Sequence, residues 1–237
     1  MVNKPKTLFI TTTHGDEKVG LEVVKNLIKK GLGSSFDFLV ANPFGLIDGA
    51  RFVESDLNRS YPGNIESKIL EEVLAQKNIA LAKQYEYVID LHEARCGSDD
   101  FIIIPRNNIS SDFPLRLIDL NTVLLWPEPK GPMGGFLTNM IELEFGMLSR
   151  ERAKVVDIAT STCEKFLAGL AGEATVPTGI KDVYEVYTDL KLTDLPDYKK
   201  HGLRDFELAK LNNEEFYPLL VEQYIKDGII CYKMRKK

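Results

Sequence analysis

The chain has 237 residues, of which 44% are hydrophobic and 27% charged, and its formal net charge is −5. This length and composition suit one large globular domain, or a medium domain with a small one, that buries a full core. The acidic balance argues against a nucleic-acid partner, and no run of about 18 apolar residues predicts a membrane-spanning helix. Without a secretory signal pattern or closely spaced cysteines, we expect a cytoplasmic protein.

The pattern of apolar residues predicts alternating strands and helices over the first 170 residues. In chain order we expect a strand over 7–13, a helix over 16–30, a strand over 35–43, a polar loop over 44–64, a helix over 65–83, strands over 85–93, 101–105, 122–126 and 140–146, and a helix over 149–170. Such alternation predicts an α/β fold, with a mostly parallel or mixed sheet flanked by helices.

The sequence changes character after residue 172. Short aromatic segments rich in β-forming residues follow one another, separated by turn residues, over 183–192, 216–225 and 229–234. We therefore predict two units: an α/β domain over 1–172 and a small β-rich subdomain over 176–237, packed on the first.

Two of the three histidines stand where predicted strands end. His14 follows the strand over 7–13, and His92 follows the apolar part of the strand over 85–93. The carboxyl ends of parallel strands form the ligand-binding edge of such sheets, and Glu17, three residues after His14, can share its target. Two imidazoles and one carboxylate with an open fourth position form a catalytic zinc set, so we predict one Zn²⁺ per chain. The alternative is that the two histidines never meet.

The other candidate residues around the histidines have two readings each. Asp90 precedes His92 by two residues, so it can orient that imidazole through its second nitrogen, or it can simply cap a loop. His201 is flanked by charged residues and a glycine, and we interpret it as a solvated loop histidine.

The polar segment 51–59 carries two arginines and an asparagine. Arg51 and Arg59 can bind a carboxylate or polarise a carbonyl, because the guanidinium group matches oxyanions in shape and charge. Asn58 can orient an amide. The alternative is a solvated loop in which the arginines pair with neighbouring carboxylates.

Two carboxylates interrupt an otherwise apolar strand over 141–146. Glu142 and Glu144 lie on the same face, since side chains alternate along a strand. A buried carboxylate is costly unless it is paired or functional, and a zinc hydrolase needs a general base. Glu144, nearer the end of the strand, is the better candidate for that base. The alternative is an edge strand whose glutamates face solvent.

Taken together, these residues resemble the succinylglutamate desuccinylase/aspartoacylase family, a branch of the zinc carboxypeptidase fold. Four motifs within the first 146 residues carry the resemblance: His14-Gly15-Asp16-Glu17, Asp56-Leu57-Asn58-Arg59 with Arg51 seven residues before Asn58, Asp90-Leu91-His92, and Glu144-Phe145-Gly146.

The resemblance implies a role for each candidate. The implied zinc ligands are His14, Glu17 and His92. Glu144 would act as base and then acid, and Arg51 would polarise the scissile carbonyl. Asn58 and Arg59 would bind the carboxylate of the substrate, and Tyr224 would match a tyrosine that reaches into the pocket.

The chain also departs from the family pattern. Gly134 stands where aspartoacylases have an arginine that helps to bind substrate carboxylates, and Glu93 stands where an asparagine is familiar. These departures leave the substrate open. The glycine-rich stretch Lys130–Phe136 reads either as a mobile loop over the site, with Lys130 as a substitute cation, or as a plain connecting loop.

The predicted function is zinc-dependent hydrolysis of the amide bond of an N-acyl amino acid or a similar small anionic amide, and a homo-oligomer is left open. One alternative is a metallocarboxypeptidase or amidase that acts on a peptide. An alternative of another class is a non-catalytic protein that binds a metal or another ligand.

Overall fold

The structure, a computed structural model, describes residues 6–95, 97, 99–107, 109–127, 131–173 and 181–237. Its centre is a sheet of ten strands: β1 (Thr7–Thr11), β2 (Phe36–Val40), β3 (Tyr87–Ala94), β4 (Phe101–Pro105), β5 (Thr122–Trp126), β6 (Met140–Gly146), β7 (Asp182–Lys191), β8 (Ala209–Leu211), β9 (Glu214–Leu219) and β10 (Ile229–Lys236). Four helices accompany it: α1 (Val19–Lys29), α2 (Pro43–Asp48), α3 (Leu70–Ala82) and α4 (Arg152–Leu170).

The sheet is mixed, with the strand order β2-β1-β3-β6-β4-β5-β7-β10-β9-β8. Strands β2, β1, β3 and β6 run parallel, so their carboxyl ends meet at one edge. Strand β4 is antiparallel to β6 and parallel to β5, and its first residue therefore lies at that same edge. The predicted α/β fold with a mixed sheet flanked by helices is confirmed.

Helices cover both faces of the sheet. Helices α1 and α4 pack together over one face, where their apolar side chains meet the inward side chains of β3 and β6 in the largest core cluster. Helix α3 covers the other face and packs on β1 and β3. Among the described helices, none is both long and apolar enough to cross a membrane.

Helix α2 lies inside the segment that the sequence predicts to be a loop. The side chain of Asn42 accepts a hydrogen bond from the backbone of Gly45, and Pro43 occupies the first turn. Gly49 then ends the helix in the left-handed conformation, at φ 64°. An asparagine cap, a first-turn proline and a terminal glycine are all helix signals. The same Asn-Pro pair also marks the end of β2, and the sequence analysis predicts only that strand end.

The C-terminal strands continue the main sheet. Strand β7 pairs in parallel with β5, and β10 pairs with β7 in antiparallel fashion. Hydrogen-bonded strands therefore cross the predicted boundary between 1–172 and 176–237. The division into two units stays a prediction, and residues 174–180 lie outside the described part of the chain.

Candidate metal centre and active site

Side chains on one face of β3 and β6 form three layers that rise toward the carboxyl edge. The two strands are in register, so three pairs of residues lie opposite one another. These pairs are Val88 and Met140, then Asp90 and Glu142, then His92 and Glu144. The lowest layer belongs to the apolar core under α3. The face thus changes within three steps from hydrocarbon to carboxyl groups to a histidine beside a glutamate.

Three side chains converge on one point at this edge. The Nδ1 atom of His14 lies 2.7 Å from one carboxylate oxygen of Glu17, and the Nδ1 atom of His92 lies 3.1 Å from the other. Their donor atoms lie within 4.8 Å of one another, and all three residues are buried. Two imidazole nitrogens and a carboxylate are the donor set that catalytic zinc prefers, so these residues fit the predicted ion.

The second nitrogen of each imidazole faces a carboxylate. The Nε2 atom of His92 lies 3.0 Å from Asp90, and the Nε2 atom of His14 lies 3.3 Å from Asp56. The hydroxyl of Thr13 donates to Asp90 at 2.9 Å. Carboxylates in this position orient metal-binding histidines, which favours the orienting interpretation of Asp90. Asp56 belongs to one of the sequence motifs, but its contact with His14 could not be predicted from that motif.

Burial and charge act in opposite directions on the three converging residues. Burial works to lower the pKa of His14 and of His92, but the neighbouring carboxylates outweigh it and raise both pKa values. Burial works to raise the pKa of Glu17, and the two imidazoles lower it well below its usual value. The carboxylate is therefore ionised at neutral pH and is available to a cation.

Both glutamates of β6 have pKa values above the usual value for a glutamate. Burial raises the pKa of Glu144 to about 7, and the charge of Glu17 adds to the shift. Burial likewise raises the pKa of Glu142 to about 7, helped by the charge of Asp90. A carboxyl group that titrates near neutrality can both accept and return a proton, which is what a general base requires. The alternative, an edge strand whose glutamates face solvent, fails for Glu142, which is buried.

Arg51 reaches the candidate metal centre from the loop that follows α2. Its guanidinium group contacts Asp56 at 3.0 and 3.1 Å and Glu17 at 3.3 Å. The backbone carbonyl of Arg51 accepts a hydrogen bond from Gly15. A side chain on Gly15 would collide with the backbone of Gly45 in α2, at 2.1 Å. Gly15 therefore lets α2 and the loop over residues 51–59, the arginine loop, pack closely against the turn that carries His14.

The arginine loop is held by a residue that the sequence did not indicate. Glu71, in the first turn of α3, is fully buried and accepts hydrogen bonds from the backbone N–H groups of Val53, Glu54 and Ser55. The shortest of these bonds is 2.8 Å. The sequence predicts that Glu71 lies on a helix, where a glutamate normally faces solvent. The pattern of apolar residues does not distinguish it from an exposed glutamate.

Two further residues of this loop, Asn58 and Arg59, differ in exposure. Asn58 is buried, and its side-chain oxygen has no hydrogen-bond partner within the described residues. Arg59 is exposed, and its guanidinium group donates to the backbone carbonyl of Asn58 at 2.9 Å. Among the residues that the structure describes, Arg59 forms no ion pair with a carboxylate.

Tyr224 brings the C-terminal segment to the site. Burial raises its pKa, the charges of Arg51 and Arg59 lower it, and Glu144 raises it further. The phenol therefore lies within electrostatic range of all three side chains. The structure thus places the tyrosine named by the resemblance at the rim of the same site.

Glu93, which stands where an asparagine is familiar in the family, binds the start of α1. Its carboxylate accepts hydrogen bonds from the N–H groups of Lys18 and Val19, at 2.6 and 2.7 Å, where α1 begins. It also receives the guanidinium group of Arg152, the first residue of α4, at 3.0 Å. Because Glu93 caps α1 at this point, the helix begins at Val19 and not at residue 16, and Glu17 stands in the preceding turn.

The glycine-rich stretch is a packed turn over its described part. Residues 133–136 form a 3₁₀ turn with Met133 fully buried, and a side chain on Gly131 would meet the backbone of Arg59 at 2.5 Å. A side chain on Gly134 would meet Pro105 at 2.9 Å. The turn therefore packs against the arginine loop, and Lys130 lies outside the described residues.

Comparisons with known proteins point to one family. The family model described as the succinylglutamate desuccinylase/aspartoacylase catalytic domain matches residues 3–127. The succinylglutamate desuccinylase of Shewanella woodyi is 24% identical over 230 residues, which cover 86% of this chain, and the chain spans only 63% of that relative.

Two solved structures share the fold. The succinylglutamate desuccinylase of Chromobacterium violaceum superposes with a TM-score of 0.76 at 18% identity, over 99% of this chain and 85% of the other. Murine aminoacylase 3 superposes with a TM-score of 0.72 at 18% identity, over 99% and 96%. Since the family model covers more than half of the residues, this chain belongs to the succinylglutamate desuccinylase/aspartoacylase family.

Proposed function

We propose that this chain is a zinc-dependent hydrolase that removes the acyl group from an N-acyl amino acid or a similar small anionic amide. The observation that carries the proposal is the convergence of His14, Glu17 and His92 at the sheet edge, where Glu144 lies opposite His92 near the end of β6. Family membership and the names of the relatives support amide hydrolysis.

The ligands would be the Nδ1 atoms of the two histidines and the carboxylate of Glu17. A zinc ion held there would polarise the scissile carbonyl and make an attacking water more acidic. The protein supports this set with Asp56 and Asp90, which fix the two imidazole rings.

The remaining residues account for the proton transfers and the charge. Glu144 accepts the proton of the attacking water and returns it to the leaving amine, a task suited to its pKa of about 7. Arg51, already directed toward Glu17, stabilises the negative charge that develops on the carbonyl oxygen. Asn58 and Arg59 bind the carboxylate of the substrate, since the guanidinium group of Arg59, which has no carboxylate partner among the described residues, matches one.

The deciding experiment combines metal analysis with turnover. Protein purified without a metal-affinity tag should contain about one zinc per chain, and His92→Ala should lose it. Zinc-loaded wild type should release free amino acid from N-acetyl or N-succinyl amino acids. Glu144→Gln should keep the zinc and lose at least a hundredfold in kcat, as expected for removal of a general base.

The alternatives predict other results. Release of C-terminal residues from peptides, with little action on N-acyl amino acids, would point to a carboxypeptidase or amidase. Zinc binding without turnover of any amide would point to a non-catalytic binding protein. Full activity of Glu144→Gln would refute the role given to Glu144.

A further inference from the structure

The candidate zinc ligands stand beyond the hydrogen-bonded part of β1 and β3. These two strands are neighbours in the sheet, and the pairing between them ends at Thr11 and Leu91. His14 and Glu17 follow β1 in the turn that leads to α1, and His92 is the next residue of β3 after Leu91. The pairing of the strands therefore does not fix the distance between the two segments that carry the ligands. Other contacts have to set it.

The segment that follows His92 holds the turn of Glu17 through Glu93. The backbone N–H group of Glu93 donates a hydrogen bond to the carboxylate of Glu17 at 3.0 Å. The carboxylate of Glu93 accepts hydrogen bonds from the N–H groups of Lys18 and Val19, at 2.6 and 2.7 Å. One residue thus contacts three consecutive positions of the turn, and each contact is made by groups of the protein itself.

An ion pair holds the same turn one residue earlier. The carboxylate of Asp16, which stands between His14 and Glu17, pairs with the guanidinium group of Arg95, three residues after His92. The side chain of Asp16 is 17% exposed and that of Arg95 is 50% exposed. Loss of Arg95 would leave this largely buried carboxylate without a cation among the described residues, which is unfavourable for the arrangement of the turn.

We infer that Asp16 and Arg95 are positioning residues, whose ion pair acts with Glu93 to hold the two ligand-bearing segments together before a zinc ion binds. We call these three residues the clasp. The inference rests on the zinc site of the proposed function, and it is independent of the reaction and of the substrate. A site that is already held in place loses little conformational freedom when its ligand binds, and its affinity is correspondingly higher.

The charge of Arg95 gives the test a sign. A guanidinium group near a cation site repels the ion, so removal of its charge alone would tighten zinc binding. Removal of a positioning residue weakens zinc binding instead, because the turn is no longer held. We expect Arg95→Gln to raise the dissociation constant of zinc at least fivefold.

The zinc affinity of metal-free protein is measured at low salt by competition with a chelator. The matched control is Arg235→Gln, which removes the same charge and the ion pair with Glu185 on β10, and four strands lie between β10 and β3. The control should leave the dissociation constant within twofold. Arg95→Lys keeps the charge and should stay within threefold of wild type. Adding Arg95→Gln to Asp16→Ala should weaken binding by no more than twofold beyond Asp16→Ala alone, because both changes remove the same interaction.

Hydrogen exchange of zinc-free protein reports on the clasp directly. The amide of Glu93, which donates to Glu17, should exchange at least fivefold faster in Arg95→Gln than in wild type. The amide of Ile89, in the buried part of β3, should keep its exchange rate within twofold. Faster exchange of both amides would show a general loss of stability and would count against a positioning role.

The outcomes separate this inference from the proposed function. Unchanged or tighter zinc binding by Arg95→Gln would overturn the clasp while leaving amide hydrolysis intact. Weaker zinc binding by Arg95→Gln, with no turnover of any amide by zinc-loaded wild type, would support the clasp and count against the hydrolase. If wild type binds no zinc, the proposed function fails, and exchange of the Glu93 amide decides whether the clasp holds the two segments together.

Discussion

Replacement of Glu142 by glutamine should stabilise the protein, and more so as the pH rises. Burial raises the pKa of this carboxyl from 4.5 to about 7 in the folded chain, so the folded state resists losing the proton that the unfolded state releases readily. The unfolding free energy that the protein loses through this carboxyl is zero below pH 4.5, grows between pH 4.5 and 7, and reaches its full value above pH 7. A tenfold change in acid dissociation corresponds to about 1.4 kcal/mol, so the full penalty is about 3 kcal/mol.

The assay is urea unfolding of wild type and Glu142→Gln at pH 5 and pH 8, with a chelator present so that no bound ion shifts the carboxyl. The difference in unfolding free energy between the two proteins should grow by roughly 2 kcal/mol from pH 5 to pH 8. Glu66→Gln, which makes the same change at an exposed glutamate, is the matched control. A pH-independent difference for Glu142→Gln would refute the argument that this carboxyl is held protonated by burial.

Two further predictions concern carboxylates that hold the site in place. Glu71→Ala leaves the N–H groups of residues 53–55 without their acceptor. We therefore expect kcat/KM to fall at least tenfold while the zinc content is kept, and those amides to exchange hydrogen faster. Unchanged hydrogen exchange would contradict this role of Glu71. Glu93→Ala removes the acceptor at the start of α1 and the partner of Arg152, and should lower the free energy of unfolding by roughly 1–3 kcal/mol in urea titrations; a loss no larger than that of the exposed control Glu66→Ala would show that the cap contributes little.

The sequence was informative where one residue type has one strong preference. Runs and alternation of apolar residues located β1, β3 and β6 to within two residues at either end, and parallel strands bring their carboxyl ends together whatever the details of packing. The approach of His14 to His92 could therefore be predicted from strand ends alone. Alternation along β6 likewise placed Glu142 and Glu144 on one face.

The sequence was uninformative where a side chain is used against its usual preference. Glu71 and Glu93 are charged residues that serve buried backbone groups, and the distance along the chain to those groups is 16 residues or more. Local patterns cannot distinguish such glutamates from those that face solvent. Helix α2 was missed because Asn42 and Pro43 end one element and begin the next, and these two signals look alike in sequence.

The pairing of β7 with β5 has a consequence for how this protein can be divided or altered. Strand β5 has β4 on one side and β7 on the other, so a chain cut before β7 would leave a strand of the main sheet with an open edge. Open edges recruit other strands, and such a fragment should aggregate before it could be studied as a minimal catalytic unit. The same segment carries Tyr224, which lies within electrostatic range of Arg51 and Glu144, so part of the candidate site is built into this framework. Grafting the rim of a relative onto this chain would therefore require exchanging strands, not merely loops.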